Sequence, residues 1–181
     1  MMEPAWKWRL SVADCPNCGM SLFLNMRLDK DTEKSQRNCL NDSAFGSRCL
    51  RCKGNCTGLG LAKVVKDLGW KGETFECWEM STYGATLSQL RANSFTITTS
   101  EFVDGIPSGE RADGILIEDV QQTSFGDENF DLITSNQVFE HVPDFSKAIK
   151  ECHRVLKKGG LLIFSVPLYN AQSTVKNAEL H

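Results

Sequence analysis

Two short stretches in the first third of the chain carry paired thiols, Cys15-Pro-Asn-Cys18-Gly19 and Cys49-Leu-Arg-Cys52-Lys53-Gly54. A Cys-x-x-Cys turn presents two thiolates at one hairpin tip, where both can reach a tetrahedral zinc at about 2.3 Å. Gly19 frees the backbone turn beside the first pair. Together, Cys15, Cys18, Cys49 and Cys52 would make a closed four-sulfur site. No coordination position would remain for substrate, so the zinc would be structural. Metal binding worth on the order of 10 kcal/mol would fold a segment whose own core is small. The two pairs stand 30 residues apart, wider than the common ribbon spacing. Two unrelated reduced pairs and a redox Cys-x-x-Cys are the competing readings, and Cys39 or Cys56 could replace one ligand. Cys77 and Cys152 fall on apolar patterns and are expected in the core.

A second set of residues lies where apolar runs end. Glu79-Met80-Ser81-Thr82-Tyr83-Gly84 follows one run, Ser100-Glu101 a second, Glu118-Asp119 a third and Ser135-Asn136-Gln137 a fourth. If these runs are strands of one open parallel sheet, their carboxyl ends share an edge where ligands bind. Acids at that edge can accept hydrogen bonds from ribose hydroxyls or an adenine amino group, and they repel a pyrophosphate. The pattern favours a nucleoside-type cofactor without phosphates. His141 is the candidate for a general base, set against the plainer reading that it starts the following helix. Asp131 is expected to be structural, and His153 to be solvated.

These residues need elements to hold them. Leu61, Val64, Val65 and Leu68 share one helical face, and Gly69 stands where that helix ends. Strands are predicted over 74–80, 95–102, 115–120, 130–138 and 161–167, with 103–114 as turns. Asp144 can cap a helix whose Phe145, Ala148, Ile149, Cys152, Val155 and Leu156 share a face, with Gly159-Gly160 at its end. Strands alternating with helices imply parallel pairing and right-handed crossovers. The chain of 181 residues carries a net charge of −3, which argues against a large generic nucleic-acid surface. Arg48, Arg51, Lys53, Lys63 and Lys66 would support a local one, or form an ordinary solvated face. No apolar run approaches a membrane span, and the N-terminus has no apolar signal core, so a cytoplasmic protein with reduced thiols is expected.

The stretch ILIEDVQQTSFGDENFDLITSNQVFEHVPDFSKAIKECHRVLKKGGLLIFSVP resembles the later half of class I S-adenosylmethionine-dependent methyltransferases, of the type 11-like kind. The matching features are the acid after the third strand, the Phe-Asp that opens the fourth, Glu-His-Val after it, and Arg-Val-Leu-Lys-Lys-Gly-Gly before the fifth. A weaker resemblance reaches back to about residue 74. It implies an α/β, Rossmann-like fold, with a mostly parallel sheet of about five strands flanked by helices. A small zinc-ribbon-like module over 1–57 would precede the S-adenosylmethionine-binding domain over 58–181. Glu79, Ser81 and Gly84 would then line the amino-acid part of S-adenosylmethionine. Glu101 would hold the ribose hydroxyls and Asp119 the adenine amino group, with Val120 offering its N–H to the ring. Asn136 and Gln137 would border the methyl-transfer pocket.

The family's first motif has glycines at alternate positions after the acid; here Ser81, Tyr83 and Ala85 stand there, with Gly84 out of step. The family's sheet also continues beyond its fifth strand, and LYNAQSTVKNAELH is too short and polar to do so. The expectation is a fragment, or a fifth-strand edge covered by a partner, a second copy or the N-terminal segment. The acceptor expected is a small molecule or a glycan, with nucleic acid and membrane disfavoured. A catalytically inactive scaffold and a nucleic-acid-directed protein are the alternatives.

Overall fold

The computed structural model describes residues 6–28, 47–71 and 74–167. The N-terminal part is a three-stranded antiparallel sheet of β1 (Trp6–Val12), β2 (Leu22–Leu28) and β3 (Ser47–Cys49). Helix α1 (Cys56–Asp67) follows. The Asn55 side chain accepts from Gly58 N at 2.9 Å, so a buried-end donor is satisfied, and Gly69 at φ 68° lies just beyond the last turn. The remaining elements are β4 (Glu76–Glu79), α2 (Ala85–Ala92), β5 (Thr96–Glu101), β6 (Arg111–Ala112), β7 (Ile115–Ile117), β8 (Phe130–Asn136), a 3-10 turn (Phe139–His141), α3 (Phe145–Val155) and β9 (Leu156–Ser165).

These strands form one six-stranded sheet in the order β6-β7-β5-β4-β8-β9. β7, β5, β4, β8 and β9 run parallel, and only β6 is antiparallel. The chain builds outward from β4 in one direction and then, at β8, in the other. The strand order therefore reverses between β4 and β8, and a crevice opens above their carboxyl ends. This is the mostly parallel sheet that the alternating pattern implies and the α/β, Rossmann-like architecture that the resemblance implies.

Period-2 alternation divides the core between two faces. Cys77 and Leu132 point toward α1 and α2, where they pack with Val65, Leu90 and Phe95. Trp78 and Ile133, one residue on, point to the other face and pack with Phe130, Ala148, Cys152 and Val155 under α3. Cys77 and Cys152 are fully buried, as their apolar patterns require. Asp131 accepts from Glu76 N at 2.9 Å and Lys157 Nζ at 2.7 Å. Although partial burial opposes it, these donors hold the carboxyl below its usual range, and the residue pins β4, β8 and β9 together.

Three local expectations shift. Helix α3 ends at Val155 and not at the glycine pair, because Asn129 N and Glu128 N take the Val155 and Arg154 carbonyls and Leu156 already pairs with Phe130. Lys157 to Gly160 then form a bulge that opens β9, and a Cβ on Gly160 would meet the Lys157 carbonyl at 3.0 Å. The turn-rich 103–114 segment contains β6, closed on β7 by Asp113-Gly114, both at positive φ. The β5–β7 and β7–β8 connections carry no helix. On α1, Val64 is exposed and Leu59, Leu61, Ala62 and Val65 are buried. The buried stripe is rotated because α1 packs on the sheet and on the N-terminal part at once.

Candidate functional site

The two Cys-x-x-Cys turns meet. The sulfurs of Cys15, Cys18, Cys49 and Cys52 lie within 4.8 Å of one another. Cys15 and Cys52 are 3.7 Å apart, and Cys18 and Cys49 3.5 Å. Sulfurs at the corners of a tetrahedron around zinc stand about 3.8 Å apart, given bonds of about 2.3 Å. The donor set therefore fits the metal in number, chemistry and spacing. Each turn closes in the same way: Gly19 N donates to Cys15 O and Lys53 N to Cys49 O, at 2.9 and 3.0 Å. Gly19 and Lys53 both adopt positive φ at the equivalent position. Burial pushes the Cys15 thiol up to about 12 although the N–H groups of Cys18 and Asn17 point at it. At Cys49 burial acts the same way, but the Cys52 and Arg51 N–H groups and the neighbouring thiols bring it down to about 7. Cys56, at the start of α1, is exposed and outside the cluster. Cys39 lies outside the described residues.

Basic side chains ring these turns. Arg48 donates to the Lys53 carbonyl at 3.2 Å, Arg51 to the Cys18 carbonyl at 3.4 Å and Lys66 to the Pro16 carbonyl at 3.4 Å. Four thiolates around one dication would carry a net negative charge, and these cations stand where they would offset it.

A cleft of about 260 Å³ opens at the carboxyl ends of the strands. Trp78, Met80, Glu101, Phe102, Asp119, Val120, Gln137 and His141 are among its lining residues. Four of the cofactor candidates, Glu101, Asp119, Val120 and Gln137, therefore share one cavity although they come from three different strand ends. Glu79, Ser81, Gly84 and Asn136 do not line it. Gly84 caps α2 at φ 115°, a conformation that disfavours side chains. Ser81 Oγ donates to the Tyr83 carbonyl at 3.1 Å and tightens the loop between β4 and α2. Tyr83 is 78% exposed, so its side chain leaves the cleft clear at the position where the family pattern has glycine. Asn136 Oδ1 accepts from Ser165 Oγ at 2.7 Å and ties β8 to β9.

Inside the cleft, the acids are held by neighbours. Glu101 Oε1 accepts from both Thr82 N and Thr82 Oγ1, at 2.8 and 2.7 Å. Asp119 Oδ1 accepts from Gln121 N at 2.8 Å and Gln121 Nε2 at 3.2 Å. Gln121 Oε1 in turn accepts from Asp144 N at the cap of α3, at 3.1 Å. Glu118 is buried and is taken up by Ser124. Gln121 and the floor residue Trp78, whose Nε1 donates to Ser100 Oγ at 2.8 Å, escape a search for acids at strand ends. The signal for Gln121 is an amide two residues beyond an acid, a common turn pattern. His141 stands at the mouth of the cleft with its side chain 79% exposed, and its Nε2 is 3.8 Å from Glu140 Oε1. His153 is exposed on α3.

Glu79 lies beneath the cleft at the end of β4, 1% exposed, and accepts from Thr134 Oγ1. Burial pushes its carboxyl up to about 8; the Thr134 hydrogen bond opposes the rise and the Glu101 charge adds to it. An unfolded Glu79 ionises near 4.5 and the folded one near 8, so ionisation favours the unfolded chain across that window. Stability from this residue should be fully present at about pH 4 and fall as pH rises, by up to about 1.4 kcal/mol per pH unit. Glu79→Gln should flatten that slope in denaturant titrations between about pH 5 and pH 8. Equal slopes in variant and parent would show that Glu79 ionises normally.

A family profile described as "Methyltransferase domain" matches residues 54–164. Over 105 residues the chain is 50% identical to the ubiquinone biosynthesis O-methyltransferase of Pseudomonas syringae pv. tomato, covering 57% of this chain and 44% of that one. Over 51 residues it is 43% identical to malonyl-[acyl-carrier protein] O-methyltransferase 1 of Coxiella burnetii, covering 28% and 18%. The chain thus spans less than half the length of either relative. A crystal structure of a candidate sarcosine dimethylglycine methyltransferase from Galdieria sulphuraria superposes with a TM-score of 0.46 at 23% identity, covering 59% of this chain and 45% of that one. Among the described residues, no helix is long and apolar enough to cross a membrane.

Proposed function

Because the chain belongs to the class I S-adenosylmethionine-dependent methyltransferases, we propose that it transfers a methyl group from S-adenosylmethionine to an oxygen of a small molecule or glycan. The observation that carries this reading is the convergence of Glu101, Asp119, Val120 and Gln137 on one cavity above the point where strand order reverses. Acids and amides at that point suit a nucleoside and disfavour a pyrophosphate. In this reading Glu101, oriented by Thr82, accepts from the ribose hydroxyls through its second oxygen. Asp119, oriented by Gln121, accepts from the adenine amino group. Ser81 and Gly84 shape the loop around the amino-acid part, and Glu79, buried beneath the cleft at the end of β4, supports that loop from below. Gln137 borders the acceptor, and Asn136, tied to Ser165, fixes the end of β8 behind it. The names of the relatives, both O-methyltransferases, support an oxygen as the acceptor atom.

S-Adenosylmethionine supplies an electrophilic methyl group, and the chain's contribution is alignment and exclusion of water. Phe102, Val138, Val142 and Pro143 give the cleft apolar walls. A hydroxyl acceptor has to lose a proton, and in this reading His141 at the cleft mouth takes it. The four-cysteine cluster holds a structural zinc. The cations around it are engaged with the turn carbonyls, which favours this reading over a nucleic-acid surface. Among the described residues β9 pairs only with β8, so its outer edge is where a partner or a second copy of the chain would add a strand.

Calorimetric titration with S-adenosylmethionine and with S-adenosylhomocysteine tests the cofactor. Saturable heat and a rise in melting temperature are expected. No heat and no thermal shift at about millimolar ligand would remove the reading, since even a millimolar dissociation constant leaves a measurable signal. Metal analysis of protein purified without added zinc should find about one zinc per chain.

A further inference from the structure

We infer that metal in the four-cysteine cluster positions the cofactor loop, so that zinc occupancy and cofactor binding are thermodynamically linked. The inference rests on the S-adenosylmethionine reading above.

The contacts form a continuous path. Cys15 and Cys49 are buried in one apolar cluster with Leu59 and Ala62 of α1 and Ala85, the first residue of α2. The second cysteine turn closes at Gly54, whose carbonyl accepts from Cys49 N at 3.0 Å. Gly54 lies so close to both helices that a Cβ there would stand 2.9 Å from Leu59 Cδ2 and 3.0 Å from Ala85 Cβ. The metal-bearing turn thus rests directly on the start of α2. Asn55, next in the chain, caps α1. The start of α1 is wedged in turn: Thr86 Oγ1 donates to the Gly58 carbonyl at 3.4 Å, and a Cβ on Gly58 would lie 3.6 Å from Asn136 Nδ2 at the end of β8.

From Ala85 the path runs back through Gly84 into the loop that follows β4. Three residues before Ala85, Thr82 donates both its N–H and its hydroxyl to Glu101. A shift of the α2 start is therefore passed to the residue that orients the ribose-binding acid. Close packing makes this transmission efficient, because contacts at van der Waals distance relax only by moving their neighbours. With metal bound, four sulfurs are held at tetrahedral spacing and the Gly54 turn is rigid. Without it, the β2–β3 pairing and the Arg51 hydrogen bond to the Cys18 carbonyl still join the two turns, but only weak thiol contacts set the sulfur spacing, and the backing of the α2 start loosens. Coupling between sites is reciprocal, so cofactor should retain zinc by the same factor with which zinc strengthens cofactor binding.

The experiment uses the full chain. S-Adenosylhomocysteine is titrated into zinc-loaded and chelator-stripped protein, and zinc loss to a colorimetric chelator is timed with and without saturating S-adenosylhomocysteine. Stripped protein should bind at least about 10-fold more weakly, and ligand should slow zinc loss. Gly54→Ala keeps all four ligands but forces the turn away from Ala85. It should hold about one zinc per chain, bind S-adenosylhomocysteine several-fold more weakly, and release zinc at a rate that ligand no longer changes. Ala85→Gly, which trims the same contact without crowding, should act in the same direction and covers the case in which Gly54→Ala does not fold. Equal affinity with and without zinc, or a chelation rate indifferent to ligand in the parent chain, would overturn the linkage while leaving the cofactor reading intact. Failure of zinc-loaded protein to bind at all would remove the cofactor reading, and the linkage with it.

Discussion

Glu101→Ala is expected to weaken S-adenosylhomocysteine binding by about 10- to 100-fold, the range set by one charge-assisted hydrogen bond to a ribose hydroxyl. The residue lines the cleft at the tip of β5, and Thr82 occupies only one of its two carboxylate oxygens. The alanine variant also strands Thr82 N, so a loss of about 1–3 kcal/mol in stability should accompany the loss of affinity. Glu101→Gln separates the two effects. Its amide oxygen can still accept from Thr82, so stability should stay near that of the parent, while the neutral group binds ribose more weakly. Calorimetry and denaturant titration of the two variants together make the check. An alanine variant that binds as tightly as the parent would place the ribose elsewhere.

Cys49→Ser should have a larger effect on the fold. Cys49 is fully buried at the centre of the cluster that joins the two cysteine turns to α1 and α2. A structural tetrathiolate site contributes on the order of 10 kcal/mol to the part it organises, and a serine hydroxyl is a poor replacement for a thiolate. Zinc content should fall from about one per chain to near zero. The six-stranded sheet has two cores of its own, built around Trp78 and around Leu132, so it should outlast the cysteine module. Limited proteolysis should therefore cut the variant first in the two cysteine turns, within 13–21 or 50–55, and spare 76–165. Cys152→Ala is the control: burial pushes its thiol up to about 12, it sits on the sheet-facing side of α3, and its loss should leave zinc content unchanged. Full zinc retention in Cys49→Ser would mean that the cluster is not a metal site.

Much of the cleft's lining is legible in the sequence. The acids and amides that end successive apolar runs marked one sheet edge, and Glu101, Asp119, Val120 and Gln137 do meet there. Glu79 and Asn136 were marked by the same rule, yet both face inward: one is buried under the cleft and the other is spent on Ser165. A strand tip shows which residues are near an edge. Which of two neighbouring side chains enters the crevice depends on pleat and register, and those are set by the partner strands. Gln121 was invisible because its role arises from a turn that brings its amide back to Asp119 and its carbonyl oxygen to Asp144. Helix α3 shows the same limit, since glycines 159 and 160 read as a helix stop and instead serve a bulge that the Phe130–Leu156 pairing forces.

The amino-acid sequence by itself determined the local pieces: two cysteine turns with their left-handed closing residues, an amphipathic α1 and α3, and apolar strands with polar tips. Each is written within about ten residues, because helix and strand periods and turn chemistry act over that distance. The tertiary structure decided which pieces meet. It brought Cys18 and Cys49 within 3.5 Å of each other, set β8 beside β4, laid the Gly54 turn on Ala85, and buried Glu79 deeply enough to hold its proton to about pH 8. These are properties of surroundings, desolvation and close packing between residues far apart in the chain, which no short window of sequence contains.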